Sequence, residues 1–115
     1  MGRADTYVLI VEDNPLTAAE MENIVQDLGY GVVGPMLNLQ DALDAAKIED
    51  LHFALLDFDL GNGTDATPIA EALTTRGVRF AFVTGTNPTV IHALFKSALV
   101  IPKPARSSDL ASLGS

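Results

Sequence analysis

Cysteine is absent from the 115 residues, which excludes disulfides, thiolate metal ligands and a cysteine nucleophile. Basic residues are scarce. Seven Lys and Arg stand against fifteen Asp and Glu, for a formal charge of −8, and the seven form no run. Nucleic-acid binding relies on clustered Lys and Arg, so no nucleic-acid partner is expected. Long apolar runs are missing too: the longest are about five residues, against roughly 20 for a membrane-spanning helix. Met1-Gly2-Arg3-Ala4-Asp5-Thr6 is followed by no apolar core of signal-peptide length. A soluble cytoplasmic protein with no membrane partner is the expectation. Neither a Gly-Lys-Ser/Thr phosphate loop nor Gly-x-Ser-x-Gly occurs, so P-loop and serine-hydrolase chemistries have no foothold.

What is present is a core-sized apolar fraction, 48%, cut into short segments over a single-domain length. Tyr7-Val8-Leu9-Ile10-Val11 is an unbroken apolar run, as expected of a strand buried on both faces of a parallel sheet. Asn14 then caps a helix with Pro15 in its first turn, carrying Leu16, Ala19, Met21, Ile24, Val25 and Leu28 and stopped by Gly29. Gly31 to Gly34 predicts a second strand. Asn38 predicts the cap of a helix bearing Leu39, Ala42, Leu43, Ala46 and Ile48. Phe53 to Asp57 predicts a third strand, Thr67 to Arg76 a helix stopped by Gly77, and Arg79 to Val83 a fourth strand. Thr89 to Lys96, Leu99 to Ile101, and a short helix capped by Ser107 or Ser108 with Leu110 and Leu113 complete the chain. Five β/α repeats in one domain, residues 1–115, argue for a doubly wound α/β fold.

Ligands of such sheets bind beyond the carboxyl ends of the strands. Glu12 and Asp13 follow the first strand, Asp57 ends the third, Thr84 the fourth, and Lys103 follows the fifth. The second offers only Gly34-Pro35. Three carboxylates, a hydroxyl and an ammonium thus converge at one edge. Carboxylates suit a hard cation such as Mg²⁺, with Asp13 and Asp57 as direct ligands, Glu12 through water, and the Asp59 backbone carbonyl completing the set. Asp57 can then act as a nucleophile towards phosphorus, with Lys103 neutralising charge and Thr84 donating a hydrogen bond.

This set, Glu12-Asp13, Asp57, Thr84 and Lys103, resembles the signature of response-regulator receiver domains over residues 7–104. The resemblance implies a flavodoxin-like five-stranded parallel sheet of order 2-1-3-4-5, with helices on both faces and a short last helix. It implies Asp57 as phosphoacceptor, Glu12 and Asp13 as the Mg²⁺-binding acidic pair, Thr84 as switch hydroxyl, Lys103 as the phosphate-contacting lysine, and a cis Lys103–Pro104 bond. The donor would be a histidine kinase or phosphotransfer protein, and the product an aspartyl phosphate rather than enzymatic turnover. Phe80-Ala81-Phe82-Val83-Thr84-Gly85, Gly29 to Pro35 and Thr67 to Leu73 are similar to the stand-alone "FATGY" receivers of alphaproteobacteria, with Thr86 in place of the motif's Tyr. In that family setting the output is contact with a downstream protein.

Val100 occupies the fifth-strand position where most receivers have an aromatic residue, so the switch must be read out differently. Only 12 residues follow Lys103. Either the sequence is truncated or one face of the sheet is open, and exposed apolar surface there favours a partner or a homodimer. Asp59 and Asp65 read as solvated loop acids, His52 and His92 as ordinary surface residues, and Gly61-Asn62-Gly63 as a turn with φ > 0. Two other functions compete: a pseudo-receiver that binds a partner without phosphorylation, and a Mg²⁺-dependent phosphatase of the haloacid-dehalogenase type. Against the latter, Asp57-Phe58-Asp59 lies on the third strand and not the first.

Overall fold

The apolar run Tyr7 to Val11 presents side chains to both sides of its pleat, and both sides are covered. Val8 and Ile10 join one core cluster, Leu9 and Val11 the other. The computed structural model describes residues 3–111, so Leu113, like the Ile48 side chain, lies outside what is described. Five strands, β1 (Arg3–Val11), β2 (Tyr30–Met36), β3 (Phe53–Leu56), β4 (Arg79–Thr84) and β5 (Leu99–Pro102), form one all-parallel sheet in the order β2-β1-β3-β4-β5. The connections are α1 (Pro15–Asp27), α2 (Leu39–Ile48), α3 (Thr67–Arg76), α4 (Pro88–Leu94) and α5 (Ser107–Ala111). Met21 and Val25 of α1 and Leu110 of α5 cover one face; Ala42, Ala45 and Ala46 of α2, Ile69, Ala70 and Leu73 of α3, and Ile91 of α4 cover the other. The flavodoxin-like architecture follows.

Short-range chemistry starts the helices. Asn14 Oδ1 accepts from Leu16 N at 2.9 Å and Thr17 N at 3.3 Å, and Asn38 Oδ1 accepts from Asp41 N at 2.9 Å, as expected. Asn87 does the same for α4, accepting from Thr89 N at 2.9 Å. The structure corrects several boundaries. β1 begins at Arg3, four residues before Tyr7, because Arg3 pairs with Tyr30 across a register shift. β2 runs on to Met36, so Gly34-Pro35 lies inside it. Gly34 has φ +101°, and a Cβ there would sit 2.6 Å from Met36 N. The Gly34–Pro35 and Lys103–Pro104 bonds are both cis, the second as the resemblance implies.

α4 stops at Leu94 instead of Lys96, because Phe95 leaves the helix at φ −134° and its ring packs 5.4 Å from Phe82. Neither Ser107 nor Ser108 precedes α5. Ser107 is its first residue, and the Asp109 carboxylate accepts from Arg106 N at 3.0 Å. The two histidines are also employed. Tyr7 N donates to His52 Nδ1 at 3.1 Å, while His52 N donates to Tyr7 O at 2.9 Å; His92 Nε2 lies 3.0 Å from Ala98 O.

Candidate functional site

The sheet ladder runs one residue past two strands and thereby aims two carboxylates. Glu12 N donates to Met36 O at 3.0 Å, and Asp57 N donates to Val11 O at 2.8 Å. On the next strands, Lys103 N donates to Thr84 O at 3.1 Å. Glu12, Asp57 and Thr84 are buried, at 0%, 4% and 2% exposure, so polar groups have been taken out of water at the carboxyl edge of an apolar sheet. Burial of that kind requires partners. Lys103 supplies one to each carboxylate: its Nζ lies 2.7 Å from Glu12 Oε1 and 3.0 Å from Asp57 Oδ2. The Glu12 contact is an ion pair outside hydrogen-bonding geometry, which leaves Oε1 a buried oxygen without a hydrogen bond. Glu12 Oε2 accepts from Asn14 N at 3.1 Å.

Asp13 joins them. Glu12, Asp13 and Asp57 each offer a carboxylate oxygen within 4.8 Å of the others. An acidic trio gathered in this way fits a hard divalent cation, so the residues present suit Mg²⁺. Gly61 is required beside them: its φ is +87°, and a Cβ there would stand 3.3 Å from Asp13 Oδ2. Asn62 and Gly63 also have φ > 0, as expected. Asp59 Oδ1 accepts from Gly61 N at 2.9 Å and Asp65 Oδ1 from Thr67 N at 2.8 Å, so both carboxylates shape the loop and the start of α3. Asp59 lines the cleft with Asp57 and Gly61.

The resulting cleft, about 530 Å³, gathers Glu12, Asp13, Asp57, Asp59, Thr84 and Lys103 in one place. A separate, more enclosed cavity of about 230 Å³ lies among Val8, Val25, Phe53, Leu55 and Leu110, with His52 and Arg79 also in its wall and no carboxylate among its lining residues. One contact in the cleft was not legible from the sequence. The Thr84 hydroxyl donates to Thr86 Oγ1 at 3.2 Å and accepts from Thr86 N at 3.1 Å. The only hint was a second threonine two residues along.

Burial pushes the Glu12 carboxyl up to about 7, helped by the Asp57 charge and opposed by Lys103 and the Asn14 N–H. Burial would lower the Lys103 ammonium, but its contacts with Glu12 and Asp57 outweigh that and hold it above its ordinary 10.5. Glu12 is thus protonated more readily folded than unfolded. Its contribution is greatest below 4.5 and is lost as pH rises towards about 7. Lys103 acts oppositely in range, stabilising through neutral pH and losing effect only in strong alkali. Without divalent cations, the stability of the wild type relative to Glu12→Gln should therefore fall between pH 4.5 and 7. Thermal midpoints of both proteins across that window check it, and a constant difference would contradict it.

The family model described as "Response regulator receiver domain" matches residues 8–113. No curated protein matches the chain. Among solved structures, SdrG from Sphingomonas melonis Fr1 is 33% identical, with a TM-score of 0.82 over 97% of this chain and 94% of that one. A CheY-like receiver domain protein from Methanospirillum hungatei JF-1 is 25% identical, with a TM-score of 0.79 over 94% and 89%. A response regulator protein from Burkholderia pseudomallei, solved with a phosphorylated aspartic acid, a calcium ion and citrate, is 24% identical and shares the fold, with a TM-score of 0.77 over 94% of this chain and 65% of that one. Sheet order, acidic cluster and family match agree: the chain belongs to the response regulator receiver domains of two-component systems.

Proposed function

We propose that this chain is a stand-alone receiver, a single unit that takes a phosphoryl group onto Asp57 from a histidine kinase or phosphotransfer protein and signals through protein contact. The observation that carries the reading is the Asp57 carboxylate, buried at the sheet edge within reach of Lys103, Glu12 and Asp13. Asp13 and Asp57 would hold Mg²⁺ directly, Glu12 through water, with the Asp59 carbonyl beside them. When bound, the cation would neutralise charge on the phosphoryl oxygens.

An Asp57 carboxylate oxygen attacks phosphorus, the phosphorus–nitrogen bond of the phosphohistidine breaks, and the imidazole leaves with the electron pair and takes up a proton. Lys103, 3.0 Å from Oδ2, is placed to follow the negative charge onto a phosphoryl oxygen. Thr84 can donate to another. The stand-alone "FATGY" assignment rests on the resemblance of the motif runs around Thr84, Gly29 and Thr67. That setting is cytoplasmic; among the described residues, no helix is long and apolar enough to cross a membrane.

The test is intact mass after incubation with acetyl phosphate. One phosphoryl group should be gained by the wild type with Mg²⁺, and none without the metal or by Asp57→Asn. An adduct that survives Asp57→Asn, or no adduct together with a silent beryllium fluoride titration, would sink the assignment.

A further inference from the structure

Resting on that reading, we infer that Thr86 is a positioning residue: its hydroxyl holds Thr84 away from Asp57 and sets how readily the site switches. A threonine hydroxyl has one hydrogen to give. Here the Thr84 hydrogen goes to Thr86 Oγ1 at 3.2 Å, and its lone pair takes the Thr86 N–H at 3.1 Å. It cannot at the same time donate to a phosphoryl oxygen on Asp57. Engaging the phosphoryl group therefore ends the donation from Thr84 to Thr86.

The backbone tells which part moves. Thr84 pairs with Pro102 in the sheet, and its carbonyl accepts from Lys103 N at 3.1 Å, so the main chain of Thr84 is fixed and the change is a rotation about its side-chain bond. Val100, on the adjoining strand, has no polar atom with which to hold the hydroxyl in either position. The release has somewhere to go. Gly85, between the two threonines, has open space where a Cβ would stand, so the loop can shift without a side-chain clash. Thr86 is half-buried and directly precedes Asn87, whose side chain accepts from Thr89 N at 2.9 Å to start α4. A change at Thr86 thus stands one residue from the cap of α4, where protein contact can read it.

The test compares wild type, Thr86→Val and Thr86→Ser. Valine keeps the shape and removes the hydroxyl; serine keeps the hydroxyl. In the free proteins, three-bond couplings at the Thr84 methyl should report one staggered rotamer for wild type and T86S, and rotamer averaging for T86V. With Mg²⁺ and beryllium fluoride, T86V should bind the fluoride about five-fold more tightly, the equivalent of ~1 kcal/mol for one hydrogen bond not broken. T86S should stay within about two-fold of wild type. Wild-type binding with T86V indistinguishable in both readouts would overturn the role of Thr86 alone, as would equal shifts in T86V and T86S. Failure of the wild type to bind beryllium fluoride would overturn the phosphoacceptor reading, and with it the coupling of Thr86 to activation.

Discussion

Replacing Lys103 by methionine is expected to lower the thermal midpoint by roughly 10 °C at pH 8 without divalent cations, the effect of about 2–3 kcal/mol. Nζ lies within 3.0 Å of oxygens on both Glu12 and Asp57, carboxylates that are 0% and 4% exposed. Removing one member of a buried ion pair typically costs about 3–5 kcal/mol, because the remaining charge stays buried and uncompensated. The effect falls below that range here, since the Lys103 side chain is 28% exposed and water already screens part of the interaction.

The loss should depend on pH in a defined direction. Lys103 holds the Glu12 carboxyl down, so its removal raises Glu12 further above about 7. As pH falls, Glu12 takes a proton, the carboxylate repulsion disappears, and the destabilisation shrinks. Saturating Mg²⁺ should restore much of the stability by mass action, about 2.7 kcal/mol at a concentration one hundred times the dissociation constant. It should not restore phosphorylation, which on the proposed reading falls by about 10²- to 10³-fold with the loss of one preorganised charge. A Lys103→Met midpoint equal to that of wild type at pH 8 in chelator would show that the buried pair does not stabilise the fold.

The second large effect is expected at Phe82. Its ring is fully buried on β4 and meets three others at 5.4 Å: Phe58 at 83°, Phe80 at 74° and Phe95 at 51°. Phe82→Ala should cost about 3–5 kcal/mol, the range for emptying a buried aromatic site, and lost edge-to-face contacts push it towards the upper end. Domains of this size are stable by only about 5–15 kcal/mol, so the variant should approach its unfolding threshold at ordinary temperature. The effect should also reach the site, because Phe58 follows Asp57 and Phe82 stands two residues before Thr84. Urea denaturation with linear extrapolation gives the measurement. Phe82→Leu, which fills more of the space, should lose clearly less. A cost below about 1 kcal/mol for the alanine variant would mean that the cluster collapses around the gap.

The sequence by itself determined the elements whose causes are local. An apolar run such as Tyr7 to Val11 can be satisfied only between two layers of helix, and Asn14-Pro15 and Asn38 start helices through bonds no more than three residues long. The gathering of Glu12, Asp13, Asp57, Thr84 and Lys103 was legible for a related reason. Parallel strands all end at the same edge, so position after a strand is position in the site. Membership of the receiver family was readable from those five residues.

The rest depended on contacts between residues far apart in the chain, where periodicity carries no information. β1 reaches back to Arg3 only because Tyr30 pairs with it, and His52 is occupied only because β1 and the chain entering β3 lie side by side. α4 ends early because the Phe82 cluster takes Phe95 out of the helix. In the site, residue type named the chemistry, but the fold decided that Lys103 would bridge Glu12 and Asp57, that burial would lift Glu12 to about 7, and that the Thr84 hydroxyl would face Thr86. Those are matters of distance and dielectric. They come into being only when the five strands close around one cleft.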